Sequence, residues 1–364
     1  MYAERLARTR DRMGELDIDV LLLSVGADLP WLTGYRAMPL ERLTMLVVPA
    51  EGDVTLVVPR LEAARVVDQP GVFTVSAWEE THDPVALVAG LAGSPGTVAV
   101  GDRTWARFVV ELQALLPSPR WLPAGLVMGP LRAVKDPFEV ASLRRASAAA
   151  DRVAAQLQGG EISLVGRTEA EVSAELGRRL LAEGHARVNF AIVAAGPHAA
   201  SPHHDAGPRV IQAGEMVLCD FGGTMPDGYC SDITRCVHTG RPSPELRHLY
   251  EVLEGAQAAA VDAAVVGTPC QDVDAVARRL ITEAGYGEAF VHRTGHGIGL
   301  DEHEDPYLVG GNGEALVAGH AFSIEPGIYL EGRFGARIED IVVATEAGPE
   351  PLNQVPHGLA VVEA

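Results

Sequence analysis

Residues 291–306 read VHRTGHGIGLDEHEDP, which gathers three histidines, four acids and three glycines into one short segment. His292 and His296 stand at a spacing that on a helix would put both rings on one face. Gly295, Gly297 and Gly299 argue against that helix, because an interior glycine costs about 1 kcal/mol. The segment is expected instead as extended backbone with tight approaches, where a missing Cβ lets another part of the chain come close. Polar clusters are costly to bury unless they bind something or one another, so the segment points to a ligand-holding site rather than a solvated loop. Histidine alone would suggest zinc, whereas hard divalent ions want carboxylate oxygens. The zinc-peptidase pattern, two histidines four apart with a glutamate directly after the first, is missing because Arg293 fills that place. Carboxylates must therefore come from elsewhere in the chain.

Two strand-like settings offer them. Asp220 ends the apolar run 216–219, Asp232 precedes the run 233–237, and Met225-Pro226-Asp227-Gly228 between them has the proline and glycine of a short hairpin loop. A three-residue loop with Gly228 in the left-handed conformation is expected to pair the two aspartates directly across the ladder, on one face. Carboxylates that close repel, so a cation between them is the economical explanation. Glu325, closing Phe322-Ser323-Ile324, and Glu339, inside the run 337–341, repeat the arrangement in a second hairpin. Together with His296 these four carboxylates make a ligand set for two divalent ions, whose charge they balance, leaving a bridging hydroxide as the only excess. Oxygen dominance favours manganese, cobalt or iron over a thiolate-type zinc centre. Paired ions of this kind make a nucleophile from water at neutral pH.

The 364 residues leave room for two domains, and a net charge of −20 speaks against nucleic acid or an anionic membrane as partner. Without an apolar signal core or a run long enough to span a bilayer, a cytoplasmic location is expected. Cys219, Cys230, Cys236 and Cys270 form neither a metal knuckle nor a disulfide framework and are expected as free, mostly buried thiols. The first part reads as a mixed α/β unit: an amphipathic helix at 2–15, a buried strand at 19–24, an aromatic-edged turn at 31–35, a hairpin of 43–49 and 54–59, a helix from about Arg60, a strand at 98–101 and a helix at 104–116. Prolines 117, 119, 123 and 130 then mark a boundary, giving expected domains 1–130 and 131–364. Beyond it Asp136-Pro137-Phe138-Glu139 starts a helix with a capping box, and Thr168 with Glu171 starts another. Strands are expected at 188–194, 215–222 and 229–238. The order then recurs, with helices at 243–266 and 271–284 followed by strands from 290, at 321–325 and at 337–345. Two helices then strands, twice over, predict an internally duplicated domain with a pseudo-twofold.

The motifs CDFGG with Asp220, SDITR with Asp232, GHGIGLDEHE with His296, SIEPGIY with Glu325 and RIED with Glu339 resemble, in order, those of the pita-bread metallopeptidases. That group holds aminopeptidase P, prolidase, methionine aminopeptidase and creatinase. The likeness extends through RAVKDPFE and, more weakly, WLTGY to the N-terminal domain of the prolidase and aminopeptidase P branch, so it covers nearly the whole chain. It implies an α/β (α+β) fold, a creatinase-like mixed α/β domain followed by a pita-bread catalytic domain. It implies that Asp232 chelates one metal, that Asp220 and Glu339 touch both, and that His296 and Glu325 complete the set. Glu325 would also shuttle the proton of the attacking water. His203 matches the family histidine that contacts substrate, with His204 as its rival, and His303 the one that stabilises the tetrahedral intermediate. His292 resembles the additional histidine of the proline-specific branch, and Arg337 a partner of the carboxylates beside the substrate. Between Asp220 and Asp232 this chain carries one residue more than the prolidase pattern, and the extra residue is expected in the 225–228 turn as a bulge.

The implied activity is hydrolysis of the Xaa-Pro bond, in dipeptides or at the amino end of longer peptides, by an enzyme with two divalent ions, manganese first and cobalt, iron or zinc as alternatives. The implied partners are a peptide with proline second and a second copy of the chain, across which the 34–42 loop could close the space beyond proline. Hydrolysis of a non-peptide carbon–nitrogen bond, creatinase-like or ectoine-hydrolase-like, is the alternative on the same scaffold. A non-catalytic binding protein is the alternative from another class.

Overall fold

The computed structural model describes residues 1–67 and 69–362. The chain divides into two compact units, Met1–Arg132 and Ala133–Ala364. In the first, the leucine run forms the strand Val20–Leu23, with all four side chains buried. It pairs antiparallel with Met45–Pro49 and parallel with Thr97–Val100 inside a six-stranded mixed sheet. A strand covered on both faces has no solvent side, which is why its pattern is continuous rather than alternating.

Two readings of this unit need correction. Residues 31–35, expected as a turn, belong largely to the helix Asp28–Thr33, which Gly34 ends at φ 74°; Pro30 falls in its first turn, where a missing N–H costs nothing. The helix expected from Arg60 is the single turn Arg60–Ala63. The proline-rich stretch 117–130, expected to mark a boundary, also holds regular structure. It carries the strand Arg120–Pro123 and most of the helix Gly125–Ala133, with Pro130 inside.

In the second unit the two capping boxes form as the sequence predicts. Asp136 and Glu139 cap each other at the start of Pro137–Gln158, and Thr168 and Glu171 do so at Glu169–Ala182. Strands Arg187–Ala195, Met216–Thr224 and Cys230–Thr239 follow. Helices Pro244–Ala263 and Cys270–Glu283 then open the second half, which ends in a five-stranded sheet and a two-stranded ribbon.

Alternation along Met216–Thr224 sets the direction of the acids. Val217, Cys219 and Phe221 join the core packed around the first helix pair, whereas Met216 and Leu218 join the core around the second. Asp220 follows Met216 and Leu218 in period, so it projects from the same face. The Pro226–Gly228 loop is the three-residue loop expected, with Gly228 at φ 96° and Met225 N–H donating to Tyr229 O. Counting outward from that pair gives a ladder without interruption, in which Asp232 faces Gly222 and Asp220 faces Thr234. The direct aspartate pairing expected from the sequence is therefore wrong by two positions. The two acids are diagonal neighbours, still on one face because the offset is even. No bulge interrupts the paired strands on either side of the turn.

The second hairpin keeps one register through a break. Ile324 faces Asp340 in one ladder and Gly327 faces Arg337 in the next, so Glu325 and Glu339 oppose each other in the gap. Arg235, fully buried, ties the two halves by donating to Glu339 O at 2.7 Å and to Asp340 Oδ1 at 2.7 Å.

Candidate metal centre

His296 lies in the short strand Gly295–Gly297, between Glu304–Leu308 and Ala321–Ile324. The flanking glycines answer to close approach. A Cβ on Gly295 would lie 1.9 Å from Ser323 O, and one on Gly297 2.1 Å from Asp305 O. With those contacts the His296 ring is directed at the acids, its Nε2 3.1 Å from Glu325 Oε1 and 3.8 Å from Asp232 Oδ2. Ser323 receives the His296 N–H and donates to Glu325 Oε1 at 2.9 Å, locking the two strands in phase.

The five residues expected as ligands converge. Ligand atoms of Asp220, Asp232 and Glu339 lie within 4.8 Å of one another, as do those of His296, Glu325 and Glu339. Asp232 and His303 close a further group with His296. All of them line one cavity of ≈ 560 Å³, together with His203, His292, Arg293, Glu302 and Arg337. Phe190, Ile192 and Pro202 give it an apolar wall.

The other sequence-predicted residues take distinct places. His303 sits at the exposed edge, its ring 3.8 Å from that of His296. His203 faces the cavity, while His204 turns away and meets Glu169 Oε2 at 2.9 Å. Arg337 is only 2% exposed and donates to Asp220 Oδ2 at 2.6 Å, Thr234 Oγ1 at 3.0 Å, Tyr329 Oη at 2.7 Å and Pro202 O at 3.3 Å. Most of its donors are thus committed to the protein. Two residues with no role assigned from the sequence complete the network. Thr234 donates to Glu339 Oε2 at 2.7 Å, and Tyr329 Oη stands 2.9 Å from His292 Nε2. Both fall inside motifs quoted above, SDITR and SIEPGIY, but their roles depend on a register no local pattern gives.

Residues 141–346 match Metallopeptidase family M24, and residues 5–134 match the Creatinase/Prolidase N-terminal domain. The chain belongs to metallopeptidase family M24. It is 44% identical over its whole length to the probable dipeptidase PepE of Mycobacterium bovis, covering 97% of that protein. Among solved structures it is similar to dipeptidase PepE from Mycobacterium ulcerans (46% identity, TM-score 0.94, 100% and 98% of the two chains). It is also similar to a prolidase from Thermococcus sibiricus (33% identity, TM-score 0.93, 100% and 99%). Among the described residues no helix is long and apolar enough to cross a membrane, and the four cysteines are free and buried.

M24 peptidases are metal-dependent, and the electrostatics of this chain fit a cation. Burial, then the charges of Glu339, Asp220 and Glu325, push the Asp232 carboxyl well above the usual range. Burial, with Glu325 and Asp220, does the same to Glu339. Asp220 is raised by burial despite Arg337. Only Glu325 goes the other way. Burial opposes its ionisation, but the His296 hydrogen bond and charge, with His292 and Arg337, hold it down at about 2. Among the described residues Asp220 alone of the four acids pairs with a permanent cation, Arg337, and its Oδ1 is buried with no hydrogen-bond partner. An orphaned carboxylate oxygen is costly unless something else completes it, and a divalent ion between the acids would do so.

Proposed function

We propose that this metallopeptidase is a dinuclear Xaa-Pro peptidase. The observation that carries the reading is the convergence of Asp220, Asp232, His296, Glu325 and Glu339 from both halves of one unit on a single cavity. Asp232 would hold one divalent ion, Asp220 and Glu339 both, with His296 and Glu325 completing the set. Mostly oxygen ligands favour manganese, then cobalt or iron, with zinc also accepted. When bound, the ions supply an acidified water and an electrophile for the scissile carbonyl.

The remaining steps belong to side chains. Glu325, on the cavity wall beside His296, accepts a proton from water and returns it to the departing nitrogen. Partial desolvation, then the charges of His296 and Arg293, push His303 down to about 4, so at neutral pH it is a neutral donor. From the cavity edge it can donate to the oxygen that becomes negative in the transition state. His203 and His292 contact the peptide. Arg337 steadies Asp220 from below and borders the substrate.

Proline specificity is supported by the prolidase likeness and by the wall of Phe190, Ile192 and Pro202, against which a pyrrolidine ring can pack. The relatives named dipeptidases support a dipeptide rather than a long substrate. The same reading takes the enzyme as a cytoplasmic homodimer. The test is a chelator-stripped protein reconstituted in turn with manganese, cobalt, iron and zinc and offered Xaa-Pro, Xaa-Pro-Xaa and Xaa-Ala peptides. Metal-dependent cleavage of Xaa-Pro well above Xaa-Ala is expected. Equal rates on Xaa-Pro and Xaa-Ala would remove the proline assignment, and full activity without metal would remove the mechanism.

A further inference from the structure

A second cluster of metal-ligating side chains lies outside the cavity. Glu169, the first residue of the helix Glu169–Ala182, is fully buried. Its Oε1 accepts the Ala195 N–H at 2.9 Å, and each carboxylate oxygen stands 3.1 Å from His198 Nδ1. His204 Nε2 approaches Oε2 at 2.9 Å. The two imidazoles are 4.4 Å apart and tilted by 40°, so they are not stacked flat but converge on the carboxylate. One ligand atom from each of the three residues lies within 4.8 Å of the others.

We propose that Glu169, His198 and His204 form a mononuclear site for a zinc-class cation, separate from the acid-rich centre. The donor set is different in kind. Two imidazole nitrogens and one carboxylate oxygen suit zinc, cobalt or nickel, whereas manganese and magnesium prefer oxygen. With metal–ligand bonds of about 2.0–2.1 Å, two ligands of a tetrahedral ion stand about 3.3 Å apart. The observed separations of 2.9 and 3.1 Å from Glu169 Oε2 would open by a few tenths of an ångström, and the imidazole nitrogens lie within 4.8 Å of each other. The His198 side chain is 42% exposed, which leaves a fourth position open to water. Loading requires that each imidazole turn a lone pair to the ion and carry its proton on the nitrogen turned away from Glu169. The nearby cation Arg209 does not oppose the ion, since Glu215 already binds it through both carboxylate oxygens.

The position of this site gives the ion a task. His198 lies in the 3₁₀ turn Gly196–Ala200 and His204 just beyond it, with Pro202 and His203 of the peptidase cavity between them. An ion on Glu169 pins both ends of that wall to the helix, so zinc occupancy would fix the segment that presents His203. The site does not depend on the dinuclear reading, and the two can fail separately.

The test uses the full-length protein saturated with cobalt(II), freed of excess, with bound metal counted by mass spectrometry and the visible spectrum recorded. His198→Ala and His204→Ala are each expected to lose one equivalent of cobalt and the intense absorption of four-coordinate cobalt, whereas Asp232→Asn keeps that absorption. Wild-type stoichiometry and spectrum in His198→Ala would overturn the proposal. Should the variants fail to fold, anomalous scattering from zinc-soaked wild-type crystals decides. A peak between Glu169, His198 and His204 is expected, and its absence while the acid-rich centre is filled would sink the site.

Discussion

Replacing Arg337 by methionine separates the two sources of positive charge available to the carboxylates. Methionine follows the arginine stem and leaves little empty volume, so the change is close to a deletion of charge and donors. Lost with the guanidinium are the contact to Asp220 Oδ2 at 2.6 Å and hydrogen bonds to Thr234, Tyr329 and Pro202 O. Breaking a buried pair from one side costs about 3–5 kcal/mol. Protonation of Asp220, already raised by burial, limits the loss in metal-free protein toward the lower end. For a unit of this size about 3 kcal/mol corresponds to about 6–12 °C in melting temperature. Divalent ions beside Asp220 replace the missing charge, so adding manganese should recover a good part of the deficit. The readout is far-UV circular dichroism of chelator-treated and manganese-loaded protein. Tryptophan fluorescence is unsuitable because all four tryptophans lie in the N-terminal unit. A metal-free loss below about 2 °C, or the same loss with and without manganese, would refute the account of Arg337 as the resident counter-charge.

Asp232→Asn should lower bound manganese and turnover together, measured by metal analysis and Xaa-Pro hydrolysis; full activity would remove Asp232 from the ligand set. The same variant carries a pH signature. Asp232 is raised in the folded metal-free protein by burial and by Glu339, Asp220 and Glu325, so its contribution favours folding below the unfolded carboxylate range and is lost as pH climbs through the raised value. Denaturant titrations should therefore show metal-free wild type losing stability relative to Asp232→Asn between acidic and neutral pH, and an unchanged difference would count against that shift. His303→Ala should retain its metals while kcat falls about 10²–10³-fold, the usual cost of one transition-state donor; loss of metal instead would make His303 a ligand. Tyr329→Phe removes the hydroxyl between His292 and Arg337 and should cost about 1–3 kcal/mol in thermal unfolding, as buried donors lose their partner, with a raised KM from a loosened His292.

Local signals carried a large part of the fold because each rests on physics that acts within a few residues. The buried leucine strand, both capping boxes and the Gly228 loop are of that kind. Edge and boundary elements were illegible for equally physical reasons. The strand Thr74–Trp78 is mostly half-exposed or exposed and lacks a buried stripe, and proline in Gly125–Ala133 mimics a linker. At the site, residue types and order were enough to single out the five residues that converge, but not to give their register. A three-residue loop makes Met225 and Tyr229 its closing pair, and counting from there reaches Gly222 with Asp232 before it reaches Asp220. Two aspartates flanking the loop at unequal distances cannot face each other, and the diagonal offset is what lets Thr234, opposite Asp220, reach Glu339 and Arg337 at once. The partners of a buried charge are settled by such pairings between distant strands, so the contact of Tyr329 with His292, or of His198 and His204 with Glu169, follows from no motif. What the sequence does carry is their cost. Buried acids and histidines persist only where something of opposite charge or complementary hydrogen bonding meets them, and the two clusters compared above differ in donor chemistry, carboxylate-rich around Asp220 and imidazole-rich around Glu169.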